Sequence, residues 1–341
     1  MAAYESSSEL SPTIIQERLV IEPIGANSQA RDSGEEVVLG LTRQPKSLSP
    51  KYLYDDRGSE LFEQITQLPE YYPTRTETAI LKAQSAAIAQ LTGPCELIEL
   101  GSGSSTKTRF LLDAYQQLGA SPLHYVPIDV SGGMLKDAAL HLLEDYAGLT
   151  IHGLTGTYGA ALAALPPQRL PARMIAFIGS SLGNLTVEES NRFFAQISAA
   201  LSPGDYCLLG VDLEKDVAVL EPAYDDSQGV TAAFTLNLLH HLNWRFQGNF
   251  QLDQFRHVAF YNPTDHQIEI YLESLQDQTA RLDVLDLEVS FTAGERLMAE
   301  ISRKFNLQEL EEMLEQHGFG HVKTFTDERQ WFALMLYQKR G

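Results

Sequence analysis

Apolar and polar positions follow two rhythms along this chain. Between about residues 95 and 216, short apolar runs of strand length alternate with longer stretches at helical spacing. ELIEL, LHYVPID, LTIHGLT, RMIAF and YCLLGVD read as strands, and TRFLLDAY, GGMLKDAALHLLEDY and VEESNRFFAQISAAL as helices. Apolar strands separated by helices predict a parallel sheet covered on both faces. After Asp216 the rhythm changes. A loop and a helix, VLEPAYDDSQGVTAAFTLNLLHHLNWRFQG, precede FRHVAFYNPTDHQIEIYLESL and RLDVLDLEVSFTAGERLMAEISRKF, where apolar and polar residues alternate as in antiparallel strands with one covered face. The last stretch, FNLQELEEMLEQHGFGHVKTFTDERQWFALMLYQ, returns to the first rhythm with a helix, a glycine stop at Gly318 and a strand-turn-strand. The pattern therefore predicts an α/β sheet with a different module inserted into it.

Upstream of the first strand, residues 1–35 are rich in Ser, Glu and Ala with little periodicity and are predicted to be poorly ordered. SELFEQITQL has helical spacing, with Ser59 as its predicted N-cap and Pro69 closing it, and TAILKAQSAAIAQL is an amphipathic helix. The turns around them, KYLYDDRGS and LPEYYPTRTE, carry Tyr52, Tyr54, Tyr71 and Tyr72. Rings with polar tips on loops either line a ligand pocket or plug two elements together.

The sharpest chemical signal is ELIELGSGSSTKT, Glu96 to Thr108, a strand, a glycine turn and a helix N-terminus. Its spacing is G-x-G-x-x-T, so Thr106 stands where a dinucleotide fingerprint has its third glycine. Glu99, just before the first glycine, suits an amine-bearing or cationic ligand better than a phosphate. The loop points first to a class I methyltransferase fold binding S-adenosylmethionine, with a purely structural corner as the alternative. Parallel sheets bind ligands at the C-terminal ends of their strands, which places Glu99 to Gly103, Asp129, Thr157, Tyr158 and Ser180 to Asn184 along one crevice. Asp129 could accept hydrogen bonds from both ribose hydroxyls of a nucleotide, or simply cap a helix. The terminal helix and hairpin favour the methyltransferase topology over a dinucleotide fold.

Bulk properties narrow the partners. A chain of 341 residues with 44% apolar content supports one large domain or two smaller ones. A net charge of −20 argues against a nucleic-acid partner, because phosphate backbones are bound through clustered Lys and Arg. No apolar run is long enough for a membrane span, and the polar, acidic start MAAYESSSELSPT does not read as a signal peptide. Cys95 and Cys207, both in apolar runs, read as buried free thiols, which predicts a cytoplasmic location. No His, Cys or Asp set has metal-ligand spacing, and no nucleophile motif is present, so neither a metal nor a covalent intermediate is expected. The acidic surface predicts a monomer.

YDDRGSELFEQITQLPEYYPTRTE, ELGSGSSTKT, GSSLGNL, AYDDSQGVTAAF and AGERLMAEISRKF together resemble the histidine Nα-methyltransferases of ergothioneine biosynthesis, from about residue 40 to the C-terminus. That wider family also methylates tryptophan derivatives and includes domains fused to sulfoxide synthases, a fusion not expected in this chain. The resemblance implies a class I Rossmann-like methyltransferase domain (75–215 plus 303–341) and a second, inserted α+β substrate-binding domain (36–74 plus 216–302). It implies S-adenosylmethionine as methyl donor, held by Gly101, Lys107, Asp129, Thr157 and Tyr158, with the Tyr54 turn closing over it. It implies an amino-acid site of Tyr71, Asn184, Tyr224, Glu300 and Ser302. Asn184 and Tyr224 would hold the amino and carboxylate ends, and Glu300 and Ser302 would grip the imidazole. Tyr54, Asn184 and Tyr224 are the expected catalytic residues, with Tyr54 or a water taking the amine proton. The plain alternative for Glu300 is a strand residue paired with Arg303 or Lys304. Ile270, Thr235 and Thr157 depart from the family pattern and bear on affinity and substrate range. The expected reaction is threefold methylation of the histidine α-amine to hercynine. The alternatives are another amino-acid Nα-methyltransferase or a silent donor-binding sensor or scaffold.

Overall fold

The computed structural model describes residues 17–25, 34–119 and 122–341. In chain order its elements are β1 (Leu19–Pro23), α1 (Glu35–Thr42), α2 (Asp56–Gln67), α3 (Tyr72–Thr92), β2 (Cys95–Leu100), α4 (Thr108–Gln117), β3 (Leu123–Asp129), α5 (Gly132–Asp145), β4 (Leu149–Thr155), α6 (Tyr158–Ala163), β5 (Ala172–Phe177), α7 (Val187–Ala200) and β6 (Tyr206–Asp212). They continue with α8 (Val217–Leu220), α9 (Val230–Phe246), β7 (Phe255–Asn262), β8 (Gln267–Ser274), β9 (Gln278–Leu282), β10 (Leu287–Phe291), β11 (Arg296–Arg303), α10 (Leu307–Gln316), β12 (Phe319–Thr326) and β13 (Phe332–Lys339).

Eight strands form one sheet in the order β1-β4-β3-β2-β5-β6-β13-β12. The first six run parallel; β13 is antiparallel to β6 and to β12, closing the sheet with the terminal hairpin. This is the α/β class that the alternating rhythm predicts. Every residue of β2 is buried, as a strand covered on both faces requires. The pleat divides it: Cys95 and Leu97 join the core beneath α3, α4 and α5, while Ile98 and Leu100 join the core shared with α6, α7 and α10.

A third core is built from residues 37–72 and 220–299, with Tyr52, Leu53, Phe234, Leu238, Leu242, Phe246, Ile270 and Leu297 among its buried members. Around it stand a three-stranded antiparallel sheet, β11-β8-β7, and a two-stranded ribbon, β10-β9. This is where the sequence rhythm changes.

Two expectations are corrected. Within the first 35 residues, Leu19 to Pro23 form an edge strand paired in parallel with β4, from Leu19 opposite Ile151 to Pro23 opposite Thr155. Arg18 secures its start by donating to the carbonyl oxygens of Leu149 (2.9 Å), Leu143 (3.1 Å) and Tyr146. The short run is half exposed, so it lacks the apolar density of the inner strands; residues 1–16 and 26–33 lie outside the described residues. Helix α2 begins before Ser59: Asp55 is its N-cap, accepting from the Gly58 backbone N–H at 2.7 Å. A carboxylate three residues before that N–H satisfies it and complements the helix dipole.

Candidate active site

The glycine loop leaves β2 with Gly101 at φ +70°, a left-handed conformation that glycine adopts without strain. A Cβ here would lie 2.7 Å from the Tyr158 hydroxyl, so the position also lacks room for one. Asp129, at the end of the neighbouring strand, holds the loop's shape. Its Oδ2 accepts from the Gly103 N–H at 3.0 Å and its Oδ1 from the Ser131 N–H at 2.9 Å. Ser131, rather than Asp129, accepts from the Met134 N–H as the cap of α5. Thr157 is the exposed residue before α6 and Tyr158 its first, half-buried residue, with its ring 5.5 Å from Phe177. Gly101, Asp129, Thr157 and Tyr158 are thus brought together at the C-terminal ends of β2, β3 and β4.

Of the residues read from the loop, Glu99 is turned inward and Lys107 is held by a buried partner at the end of β5. Glu99 does not line the crevice. It shares the β2 face of Cys95 and Leu97, and its Oε2 accepts from the Thr108 hydroxyl at 2.5 Å and from the Tyr125 hydroxyl. Burial raises its carboxyl to about 7, against the lowering effect of those bonds. Lys107 is ion-paired at 2.5 Å with Glu77 of α3, whose carboxylate is wholly buried. The other Glu77 oxygen accepts from the Gly179 N–H at 2.7 Å. One buried carboxylate therefore ties the glycine loop to the end of β5. Nothing in the amphipathic pattern of α3 sets Glu77 apart from its solvated neighbours.

Beside this lies a cleft lined by Tyr54, Tyr71, Asn184, Tyr224, Glu300 and Ser302 together with Phe62, Phe234 and Ile270. The segment GSSLGN reaches it because Gly179 and Ser180 both take positive φ, +92° and +58°, and swing the chain into the short 3-10 turn Ser181–Asn184. Gly183 then packs directly on β11. A Cβ there would stand 3.0 Å from the Arg303 carbonyl oxygen and 3.2 Å from its nitrogen. This close approach sets Asn184 against Glu300, and Asn184 Nδ2 donates to Glu300 Oε1 at 2.8 Å.

Glu300 pairs with neither basic neighbour. Arg303 donates to the Ser190 hydroxyl at 3.3 Å, and Lys304 pairs with Asp212 at 2.8 Å. Desolvation raises the Glu300 carboxyl to about 7, while the Asn184 bond and the Lys304 charge pull it down. Tyr224 OH lies 2.9 Å from Ser302 Oγ. Tyr71 meets Tyr224 edge-on at 6.1 Å. Tyr54 stands at the mouth, 40% exposed, edge-on to Phe62 at 5.6 Å and Phe234 at 5.3 Å. Its phenol is held well above the ordinary tyrosine value, first by desolvation and then by the Glu300 charge. Tyr54 therefore keeps its proton at neutral pH. Ile270 is a buried wall of the cleft, and Thr235 is buried one turn of α9 beyond Thr231, bonded to His257 Nδ1 at 3.0 Å.

Sequence reading did not find the polar network behind the cleft. Asp212, at the end of β6, accepts from Tyr72 OH (2.7 Å), from Lys215 Nζ (2.6 Å) and from Lys304 Nζ (2.8 Å). Its backbone N–H donates to Ser180 Oγ at 3.0 Å. These residues look like ordinary strand-end charges along the chain, and only their burial sets them apart.

Comparison with known proteins gives the family. The family described as histidine-specific, SAM-dependent methyltransferase matches residues 33–339. The histidine N-alpha-methyltransferase of Mycolicibacterium smegmatis is 42% identical over 92% of this chain and 97% of that protein. That of Mycobacterium tuberculosis is also 42% identical, over 92% of this chain and 98% of that protein. Ergothioneine biosynthesis protein 1 of Neurospora crassa is 30% identical over 87% of this chain but 34% of its own length.

Proposed function

The chain belongs to the histidine-specific, S-adenosylmethionine-dependent methyltransferases, and from that premise we propose how its own residues carry the reaction. The enzyme transfers methyl groups from S-adenosylmethionine to the α-amino nitrogen of L-histidine, and the repeat count we propose is three, giving hercynine. The observation that carries the substrate assignment is that Glu300 and Ser302, side by side on one face of β11, line one cleft together with Asn184 and Tyr224.

The donor side fits the methyl donor. Gly101 exposes bare backbone, and the half-buried Asp129 carboxylate stands at the adjacent strand end, where it can accept from ribose hydroxyls. Thr157 and Tyr158 border the same place, and Lys107 acts through Glu77 by holding the loop against β5. When bound, S-adenosylmethionine supplies an electrophilic methyl group.

Methyl transfer is an in-line displacement, so the protein's work is to align a neutral amine with the methyl group. Asn184 and Tyr224 hold the amino and carboxylate ends, and Tyr71 covers them. Glu300 and Ser302 fix the ring, so the amine can turn between rounds while the substrate stays in place. Tyr54 closes the mouth as a neutral phenol, and its held proton leaves water as the acceptor of the amine proton. An indole would bring no lone pair to Ser302, leaving a buried polar group unmatched.

Incubating the protein with S-adenosylmethionine and histidine, then weighing the product, tests this reading. Histidine carrying three methyl groups is expected. Methylation of tryptophan or a derivative with none on histidine would overturn it.

A further inference from the structure

Lys304 follows the substrate-site strand, and nothing above gives it a part in the reaction. Its side chain is completely buried, and so is that of its partner Asp212. The Phe305 N–H donates to the Asp212 carbonyl at 2.9 Å, which brings the exit of β11 alongside the exit of β6 and sets the two side chains face to face. A buried ammonium is costly unless each of its protons is accepted. Here three acceptors surround it: Asp212 Oδ2 at 2.8 Å, Tyr224 OH at 2.7 Å and Ser302 Oγ at 2.9 Å. An ammonium has three protons and no lone pair, so Lys304 has nothing left to give a ligand.

The consequence falls on the two hydroxyls. Both oxygens accept from Lys304, and they lie 2.9 Å from each other, so one gives its proton to the other. One hydroxyl proton of the pair remains, and both residues line the cleft. Two residues earlier on the same face of β11, Glu300 Oε1 accepts from Asn184, which leaves Oε2 as an acceptor. Building on the histidine reading above, we propose that Lys304, locked in place by Asp212, is a positioning residue that sets the hydrogen-bond polarity of the substrate site. It makes the Tyr224–Ser302 pair a donor beside the Glu300 acceptor.

A neutral imidazole is the ring that matches this donor and this acceptor together, because it offers one N–H and one nitrogen lone pair. Asp212 keeps the device rigid. Lys215 and Tyr72 occupy the rest of its carboxylate, and Lys215 also donates to Tyr72 OH at 2.9 Å. Tyr72, Lys215 and Lys304 thus converge on one carboxylate, which aims one ammonium.

The test compares calorimetric affinities for L-histidine and for pyrrolylalanine, whose ring has an N–H but no lone pair, with S-adenosylhomocysteine bound. Unmodified protein should prefer histidine by on the order of ten- to a hundred-fold, the cost of a buried donor left unmatched. Lys304→Met should cut that preference to within about threefold while S-adenosylhomocysteine affinity stays within about twofold. A merely structural lysine would instead weaken both amino acids equally and leave their ratio intact, and that result overturns the proposal. Should Lys304→Met not fold, the unmodified protein still decides, since equal affinity for the two amino acids would mean the hydroxyl pair is no donor. Failure of the unmodified protein to bind histidine at all would instead count against the function proposed above.

Discussion

The donor side and the substrate side of this molecule are both polar, yet they are made differently. Around the glycine loop the shaping bonds run to backbone: Asp129 accepts from Gly103 and Ser131 N–H groups, and Glu77 from the Gly179 N–H. Around the cleft they run from side chain to side chain across long stretches of sequence: Asn184 to Glu300, Tyr224 to Ser302, Lys304 to Asp212. Backbone bonding tolerates changes of side chain nearby, so one loop can serve many enzymes that share a donor. Side-chain bonding is specific to residue identity. The difference teaches that donor binding and substrate choice should be separable by mutation.

Removing the carboxylate of the donor side should break only that side. Asp129→Ala loses two charge-assisted bonds to the loop and the ribose acceptor, and S-adenosylmethionine binding should weaken by on the order of ten- to a hundred-fold. The order of preference among amino acids at saturating donor should stay unchanged. A change in that order would mean the two sides are coupled.

A smaller effect sharpens the contrast through pH. Burial raises the Glu300 carboxyl to about 7, so it is protonated below that value and ionised above it. The ionised form is the stronger acceptor for an imidazole N–H. Histidine affinity should therefore fall as the pH drops below 7, more steeply below about 6.5 where the imidazole also protonates, and level off above 7. In Glu300→Gln that break should disappear, leaving the one at about 6.5 that belongs to the imidazole itself. Titration calorimetry across pH 5.5 to 8.5 would show it, and an unchanged break would place the titrating group elsewhere.

The same division explains what could be read from the sequence. The parallel sheet was legible because each inner strand is an apolar run set between helices, and the loop because Gly101 and Gly103 answer to local backbone geometry. Strand β1 was not, since Leu19 to Pro23 is a half-exposed edge with no apolar density. Glu99 was misplaced because its proximity to the loop outweighed the pleat, which turns it inward with Leu97. Asn184, Tyr224, Glu300 and Ser302 were reached through resemblance to a family, as no local rule brings residues 184 and 300 together. Glu77, Asp212 and Lys304 escaped even that. Each is a charged residue whose partner lies tens to more than a hundred positions away, and a buried charge carries no mark in the sequence that a solvated one lacks.

The identity of the substrate rests in the cleft and not in the loop. Its most direct test is a pair of titrations on Glu300→Ala: S-adenosylhomocysteine into the free protein, then L-histidine into the complex. Histidine affinity should fall by on the order of a hundredfold or more, with S-adenosylhomocysteine held within about twofold of the unmodified protein. Equal loss of both, or no loss of histidine, would contradict it.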